Sequence, residues 1–306
     1  MRLRYGTRGS ALAVAQSDWI ARRLKTLGPS VEIERVVIQT SGDKFLPGAP
    51  PSSAPSADSA PDNIKAMFVK EIEEALLEGT IDFAVHSSKD LPAVLPEGLR
   101  IAAYPEREDP RDAYVAGAST WERLGPGAAV GSSSLRRRIQ MKLLKPGVSC
   151  LDIRGNVDTR LKRLSEGSVQ GLLLAEAGLK RLDKSSVRRR LVPLDEMVPA
   201  PGQGALALEA REDGRAVLDI LKSLDDAPTR LAVECERAFM AEMGGGCRSP
   251  LGACAALEGG RLRLRAFWSD AEGVRPVRRS AECAAEPGEA ISLARRLAGE
   301  ILRFAA

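Results

Sequence analysis

The 306-residue sequence contains a single histidine, His86. Ser-His and Cys-His nucleophile schemes and histidine-rich metal sites have only that side chain to use, and its place near the end of an apolar run reads as a satisfied, structural histidine. The five cysteines, Cys150, Cys235, Cys247, Cys254 and Cys283, form an odd set with no C-x-x-C pair, so neither a disulfide framework nor a metal site is expected. Aromatic residues make up only 4% of the chain, and none falls between 131 and 190. Charges, glycines or prolines interrupt every apolar run short of the ~20 residues that cross a bilayer. The first apolar patch stops at Gln16, Ser17 and Asp18, too early for a secretory signal. These absences point to a cytoplasmic protein that needs neither a membrane nor a metal.

What is present is a globular composition, 44% hydrophobic and 28% charged, at a length that suggests two or three domains. The formal net charge of +4 hides an asymmetry: residues 131 to 190 hold 10 Arg and 5 Lys against 5 acidic residues. Arginine presents a planar fork that binds carboxylate or phosphate bidentately. A local excess of this kind predicts a polyanionic ligand.

The first third alternates strand and helix. RLRYGT reads as a strand, Ser10 as the N-cap of a helix starting at Ala11, VEIERVVIQT as a β-branched strand, IKAMFVKEIEEALLEG as a helix and IDFAVHSS as a further strand. That βαβ order predicts a parallel sheet. Residues 46 to 63 are Pro, Ser and Ala with almost no large apolar side chain, the composition of a mobile surface loop or lid. A second unit follows, in which AAVGSSS, SCLDIRG and GLLLAEAG are strands that run directly into helices. Its basic residues gather at the strand-to-helix turns, where open α/β sheets bind ligands. PAPGQGA reads as a hinge, with LALEARE returning as a strand to the first unit. The last 80 or so residues change character, from a long helical run ending at MGGGCRSP, through hairpin-like strands, to an amphipathic helix. No internal repeat is visible. The expected architecture is therefore α/β, with domain 1 from 1–104 and 199–217, domain 2 from 105–198, and an α+β domain 3 from 218–306.

Three constellations carry chemistry. Arg136, Arg137 and Arg138 follow Gly131, Ser132, Ser133 and Ser134, whose N–H groups open a helix and favour anions; Arg154, Arg160 and Arg181 recur at or beyond the next turns. Any one of these could be a solvated helix face, but their repetition at equivalent positions favours ligand binding. Lys89 and Asp90 end the apolar strand before Leu91 and Pro92. A carboxylate among cations can stabilise developing positive charge or pass a proton, and the plain alternative is a surface ion pair at a turn. Cys247 follows Gly244, Gly245 and Gly246 and precedes Arg248, a setting that favours thiolate, while on general grounds a chance thiol in a loop is the more common reading; Cys235 and Cys254 read as ordinary buried cysteines.

The segments GTRGSALAVAQ, TSGDK, FVKEIEEALLEGTIDFAVHSSKDLP, EREDPRDAYV, VGSSSLRRR, DIRGNVDTRLKRL, AGLKRL, PAPGQGALALE and GGGCRSPLG, in this order, resemble the porphobilinogen deaminase (hydroxymethylbilane synthase) family along nearly the whole chain. The resemblance implies two lobes built like periplasmic binding proteins plus a smaller C-terminal α+β domain. It implies a transferase that joins four porphobilinogen molecules head to tail, with loss of ammonia, on a dipyrromethane cofactor held by a thioether to Cys247. Asp90 is then the catalytic carboxylate. Lys89, Asp90, Ser133, Arg136, Arg137 and Arg154 contact the cofactor, and Arg8, Ser10, Lys65, Phe68, Arg160 and Arg181 the substrate and growing chain. Lys65 stands here without the glycines that the family places around it.

Two other classes fit part of the sequence. A non-catalytic, two-lobed anion-binding protein fits the first two units but leaves Cys247 and the third domain without a role. A nucleic-acid-binding protein fits the basic segment but lacks aromatic platforms there. The reading is of a monomer that binds a small molecule and no nucleic acid.

Overall fold

The computed structural model describes residues 2–28, 31–41, 69–244 and 250–305. It groups into two units, residues 1–107 with 205–230 and residues 108–204 with 231–306.

In the first unit, β1 (Arg2–Thr7) leads through the Ser10 cap into α1 (Ala11–Leu27) and then β2 (Glu32–Val37). Ser10 is extended, and its hydroxyl accepts from Ala13 N at 3.3 Å, satisfying one orphan donor of the first turn. Helix α2 (Lys70–Leu77) precedes β3 (Phe83–Ser87), a 3-10 turn over Ser88–Asp90, and β4 (Leu99–Ala103). The sheet is closed by a strand from much later in the chain, β10 (Leu206–Arg211), giving the order β2-β1-β3-β10-β4. Strand β1 is parallel to β2 and β3, while β10 is antiparallel to both of its neighbours. Alternation along the strands sorts the side chains between two faces. Leu3, Tyr5, Phe83, Val85, Leu206 and Leu208 pack with Ile20 and Leu24 of α1. On the other face, Ala84 packs with Ile72 and Leu76 of α2.

The second unit repeats this plan. Strands β5 (Asp112–Ala116), β6 (Ala129–Gly131), β7 (Ser149–Leu151), β8 (Gly171–Ala175) and β9 (Arg189–Leu191) form a sheet of order β7-β6-β8-β5-β9. Strand β5 runs antiparallel to β8 and β9, as β10 does in the first sheet. The repeat lies in topology alone, since the sequence carries none. Helices α3 (Leu135–Leu144), α4 (Val157–Ser165) and α5 (Glu176–Arg181) follow β6, β7 and β8 as expected. Period-2 alternation again divides the core: Tyr114 and Leu173 face one cluster, and Ala113, Val115, Leu172 and Leu174 the other.

Strand β10 returns to the first sheet as the sequence reading expects. The long helical run after it is two helices, α6 (Arg215–Lys222) and α7 (Ala227–Glu242). Asp226 separates them, its carboxylate accepting from Thr229 N in the first turn of α7 at 2.9 Å. A three-stranded antiparallel meander follows, β11 (Gly252–Glu258), β12 (Arg261–Trp268) and β13 (Val277–Ala284), then α8 (Pro287–Ala305). Buried Ala290, Leu293, Ala294, Leu297, Ala298 and Ile301 form one stripe of α8 at helical spacing. Each leucine so buried is worth about 1.5–3 kcal/mol relative to exposure. Cys254 and Phe267 pack against Ile139 of α3 and Val198.

The fold class is thus as expected, two α/β lobes and a smaller α+β domain. Cys235 and Cys254 are buried within α7 and β11. Cys247, Lys65, Phe68 and the 46–63 stretch lie outside the described residues.

Candidate active site

The first unit carries a small open cleft at the carboxyl end of β3. Arg8 and Ser10 line it from the β1-to-α1 turn, Ala13 and Gln16 from α1, Val69 and Ile72 from the start of α2, and Val85, His86, Ser87 and Asp90 from β3 and its turn. The turn is fixed on both sides. Ser88 N donates to Ala205 O at 3.0 Å and Leu91 N to Ser88 O at 3.2 Å, while Leu91 is fully buried. Backbone held this way leaves Asp90 half-buried at the cleft, with Lys89 beside it in sequence. Gln16 of α1 ties to the end of β3, its Nε2 donating to Ser87 Oγ at 2.8 Å. Gln16 and Ser87 were not singled out in the sequence; their signal was a polar pair within otherwise apolar segments.

In the second unit, Ser134 caps α3, its hydroxyl accepting from Arg137 N at 3.4 Å, and Ser133 precedes it half-buried. The arginines that follow point into the protein. Arg136 Nη1 donates to Asp112 Oδ2 at 2.7 Å and to Val198 O at 2.6 Å, with the residue only 5% exposed. Arg137 donates from Nε to Asp112 Oδ1 at 2.8 Å, from Nη2 to Gln203 Oε1 at 3.1 Å and from Nη1 to Leu173 O at 3.3 Å. Gln203 Nε2 completes the group by donating to Asp112 Oδ1 at 2.8 Å. Burial opposes ionisation of Asp112, but Arg136 and Arg137 outweigh it and hold the carboxyl well below the usual range. Asp112 and Gln203 stand inside EREDPRDAYV and PAPGQGALALE with no signal of their own; one carboxylate shared by two adjacent buried arginines is visible only in three dimensions.

Arg160 and Arg181 differ from Arg136 in that no carboxylate among the described residues is hydrogen-bonded to them. Arg160 Nε donates to Gly155 O at 2.8 Å, and burial, then the nearby Arg137 charge, push its guanidinium down to about 10. Arg181 Nη2 donates to Gly204 O at 2.7 Å and is also pushed down to about 10 by burial. Both acceptors belong to glycines with left-handed backbone, φ +114 at Gly155 and +89 at Gly204, and a Cβ on Gly204 would overlap Glu108 O. Arg154, by contrast, is 75% exposed and lies 3.0 Å from Asp152 Oδ2. Half-buried cations whose hydrogen bonds run to carbonyl oxygens, with Asp152 and Glu108 acting on them only through their charge, form a site that gains from an incoming carboxylate. The arrangement can bind polyanions, and the cleft at Asp90 can place a fixed negative charge beside a bound ring.

Comparison with known proteins bears on the same segments. Residues 3–219 match the family model described as "Porphobilinogen deaminase, dipyromethane cofactor binding domain", and residues 230–303 match "Porphobilinogen deaminase, C-terminal domain". A porphobilinogen deaminase of Desulforudis audaxviator is 44% identical over 304 residues, covering 97% of this chain and 96% of that protein. Another from Roseiflexus sp. is 44% identical over 300 residues, 97% and 94% of the two chains. The one from Geobacter sulfurreducens is 43% identical over 279 residues, 91% and 85%.

Proposed function

The chain belongs to the porphobilinogen deaminase family, and we propose that its reaction is run by Asp90, with acidic cofactor, substrate and product held through the arginine set. The enzyme joins four porphobilinogen molecules head to tail, releasing ammonia each time, to give the linear tetrapyrrole hydroxymethylbilane. The observation that carries the residue assignment is the pair of half-buried guanidiniums, Arg160 and Arg181, whose hydrogen bonds among the described residues run to the carbonyl oxygens of Gly155 and Gly204. A dipyrromethane with acetate and propionate groups fits this donor set. When bound by a thioether to Cys247, it supplies the terminal pyrrole to which each new unit is joined.

Arg136 acts by holding Asp112, which in turn sets the fork of Arg137. Ser133, Arg137, Arg154 and Lys89 bind cofactor carboxylates. Arg8, Ser10, Lys65, Phe68, Arg160 and Arg181 bind the substrate and lengthening chain. Asp90 stabilises the positive charge that develops when porphobilinogen loses ammonia, an effect that is large when the charge is fixed in advance. We read the chain as three domains, 1–104 with 199–217, 105–198 and 218–306, and as a cytoplasmic monomer that binds no nucleic acid. Among the described residues no helix is long and apolar enough to cross a membrane.

Intact mass and product analysis test this together. The wild-type protein is expected to carry the excess mass of two linked pyrroles and to release hydroxymethylbilane from porphobilinogen. Cys247→Ser is expected to fold and to lack that excess. Retention of the excess by the Ser variant rules out Cys247 as the attachment point.

A further inference from the structure

Three ionisable side chains meet beneath the Asp90 cleft. Glu73 comes from α2, His86 from β3 and Glu209 from β10, and they are 8%, 5% and 0% exposed. Register pairs Glu209 with Ala84 and Ala207 with His86, so His86 and Glu209 are diagonal neighbours on one face of the sheet. That face is the one covered by Ile72 and Leu76 of α2. His86 Nε2 is 2.9 Å from Glu209 Oε2, an ion-pair separation. Yet that nitrogen, both Glu209 carboxylate oxygens and Glu73 Oε1 are buried without an aligned hydrogen bond. The expectation of a structural histidine holds for its burial, but not for its being fully satisfied.

The surrounding charges are engaged elsewhere. Arg4 on β1 bonds to Asp82 and Gly79 O, and Arg211 on β10 to Leu76 O and Ile81 O, at the far end of α2. Arg2 on β1 pairs with Glu34, Arg100 on β4 is exposed, Glu71 accepts from Ser41 N, and Glu74 pairs loosely with Lys70. From the cleft side, Arg8 and Asp90 share the lining with His86. Burial, then the Glu209 charge, pushes the Glu73 carboxyl up to about 7, against the opposing attraction of His86.

We propose that Glu73, His86 and Glu209 form one proton-sharing cluster that anchors the His86 imidazole in the wall of the Asp90 cleft and sets the charge that wall presents. Glu73 and Glu209 are then positioning residues for the reaction. The inference rests on the assignment of Asp90 above. Near neutrality Glu73 gives its proton to solvent, and its negative charge appears behind the wall on which substrate lies.

His86 is the sole histidine, so in tag-free protein its imidazole NMR signals are unambiguous. The wild-type holoenzyme is expected to show an inflection near pH 7 in those signals, and Glu73→Gln to remove it together with the matching inflection in kcat/KM. Absence of the inflection from the wild type, which needs no variant, overturns the proposal. So does its persistence in Glu73→Gln. Glu209→Gln is expected to move the inflection while leaving far-ultraviolet dichroism intact; an unmoved inflection counts against the cluster. Turnover of Asp90→Asn tests the Asp90 assignment by itself, because it is read as a rate and not through the His86 signals.

Discussion

Glu236 Oε2 accepts a 2.6 Å hydrogen bond from Gly202 N, and its Oε1 accepts a 2.7 Å bond from Ala255 N. One fully buried carboxylate on α7 thus ties the 199–204 turn to β11. Glu236→Ala leaves two buried N–H groups without that acceptor, at about 1–3 kcal/mol each, and is expected to lower the melting temperature by several degrees. Glu236→Gln, which keeps one acceptor oxygen, should recover part of the loss. Thermal melts that superimpose on wild type would contradict the tie.

Arg136 and Arg160 are expected to fail in opposite ways. Arg136→Met strips Asp112 of one buried partner, a change worth about 3–5 kcal/mol, and should destabilise strongly. Arg160→Met removes a cation that burial and Arg137 already disfavour, so stability should hold or rise. Loss of a charge-assisted contact of roughly 1.5–3 kcal/mol should instead slow elongation about 10- to 100-fold. Urea titration beside native mass spectra of the intermediate ladder separates the two; an Arg160 variant with a wild-type ladder removes its binding role.

Asp90→Asn is expected to keep its fold and lose turnover by ~100-fold or more, the magnitude seen when a preorganised electrostatic group is deleted. Asp90→Glu keeps the charge a methylene away and should retain more activity than Asn. If Asp90 were only part of a turn ion pair, its removal would cost at most ~1 kcal/mol of stability and little activity. Near-normal turnover in Asp90→Asn rules out the catalytic role.

The pH dependence of stability has two limbs of known sign. Glu73 binds its proton more tightly folded than unfolded, so its contribution is complete below the ordinary carboxylate range and is lost as pH rises through about 7. Asp112 is depressed, so its contribution is present above the ordinary carboxylate range and lost as pH falls below it. Glu73→Gln should therefore flatten the decline in melting temperature between pH 5 and pH 8, leaving the acid limb in place. A decline of unchanged slope would show that another group causes it.

Much of this was legible in the sequence because periodicity reports burial on one face. Ser10 and Ser134 announced their helices by capping chemistry, Leu293 and Leu297 lie on one stripe of α8, and the βαβ order gave the parallel halves of both sheets. Strand β9 was not read, because three residues starting Arg189-Arg190 lack apolar alternation, and Arg189 instead reaches buried Glu176 at 2.7 Å. The site was legible as residue types at strand ends. Which arginine is internally neutralised was not, because the partner of Arg136 and Arg137 is 24 and 25 positions away. Glu73, His86 and Glu209 were hidden for the same reason: His86 and Glu209 are isolated polar residues in apolar runs, and Glu73 is one of three glutamates in KEIEEALL.

The placement of β10 bears on the order in which a ribosome can deliver a finished lobe. Every strand of the second sheet lies between residues 112 and 191, so that sheet can close as soon as those residues emerge. The first sheet, although begun at residue 2, has β4 joined to β3 only through β10, at residues 206–211. A nascent chain shorter than this holds β4 with no strand beside it, and His86 without Glu209. The sheet that is begun first is therefore completed after the sheet that follows it.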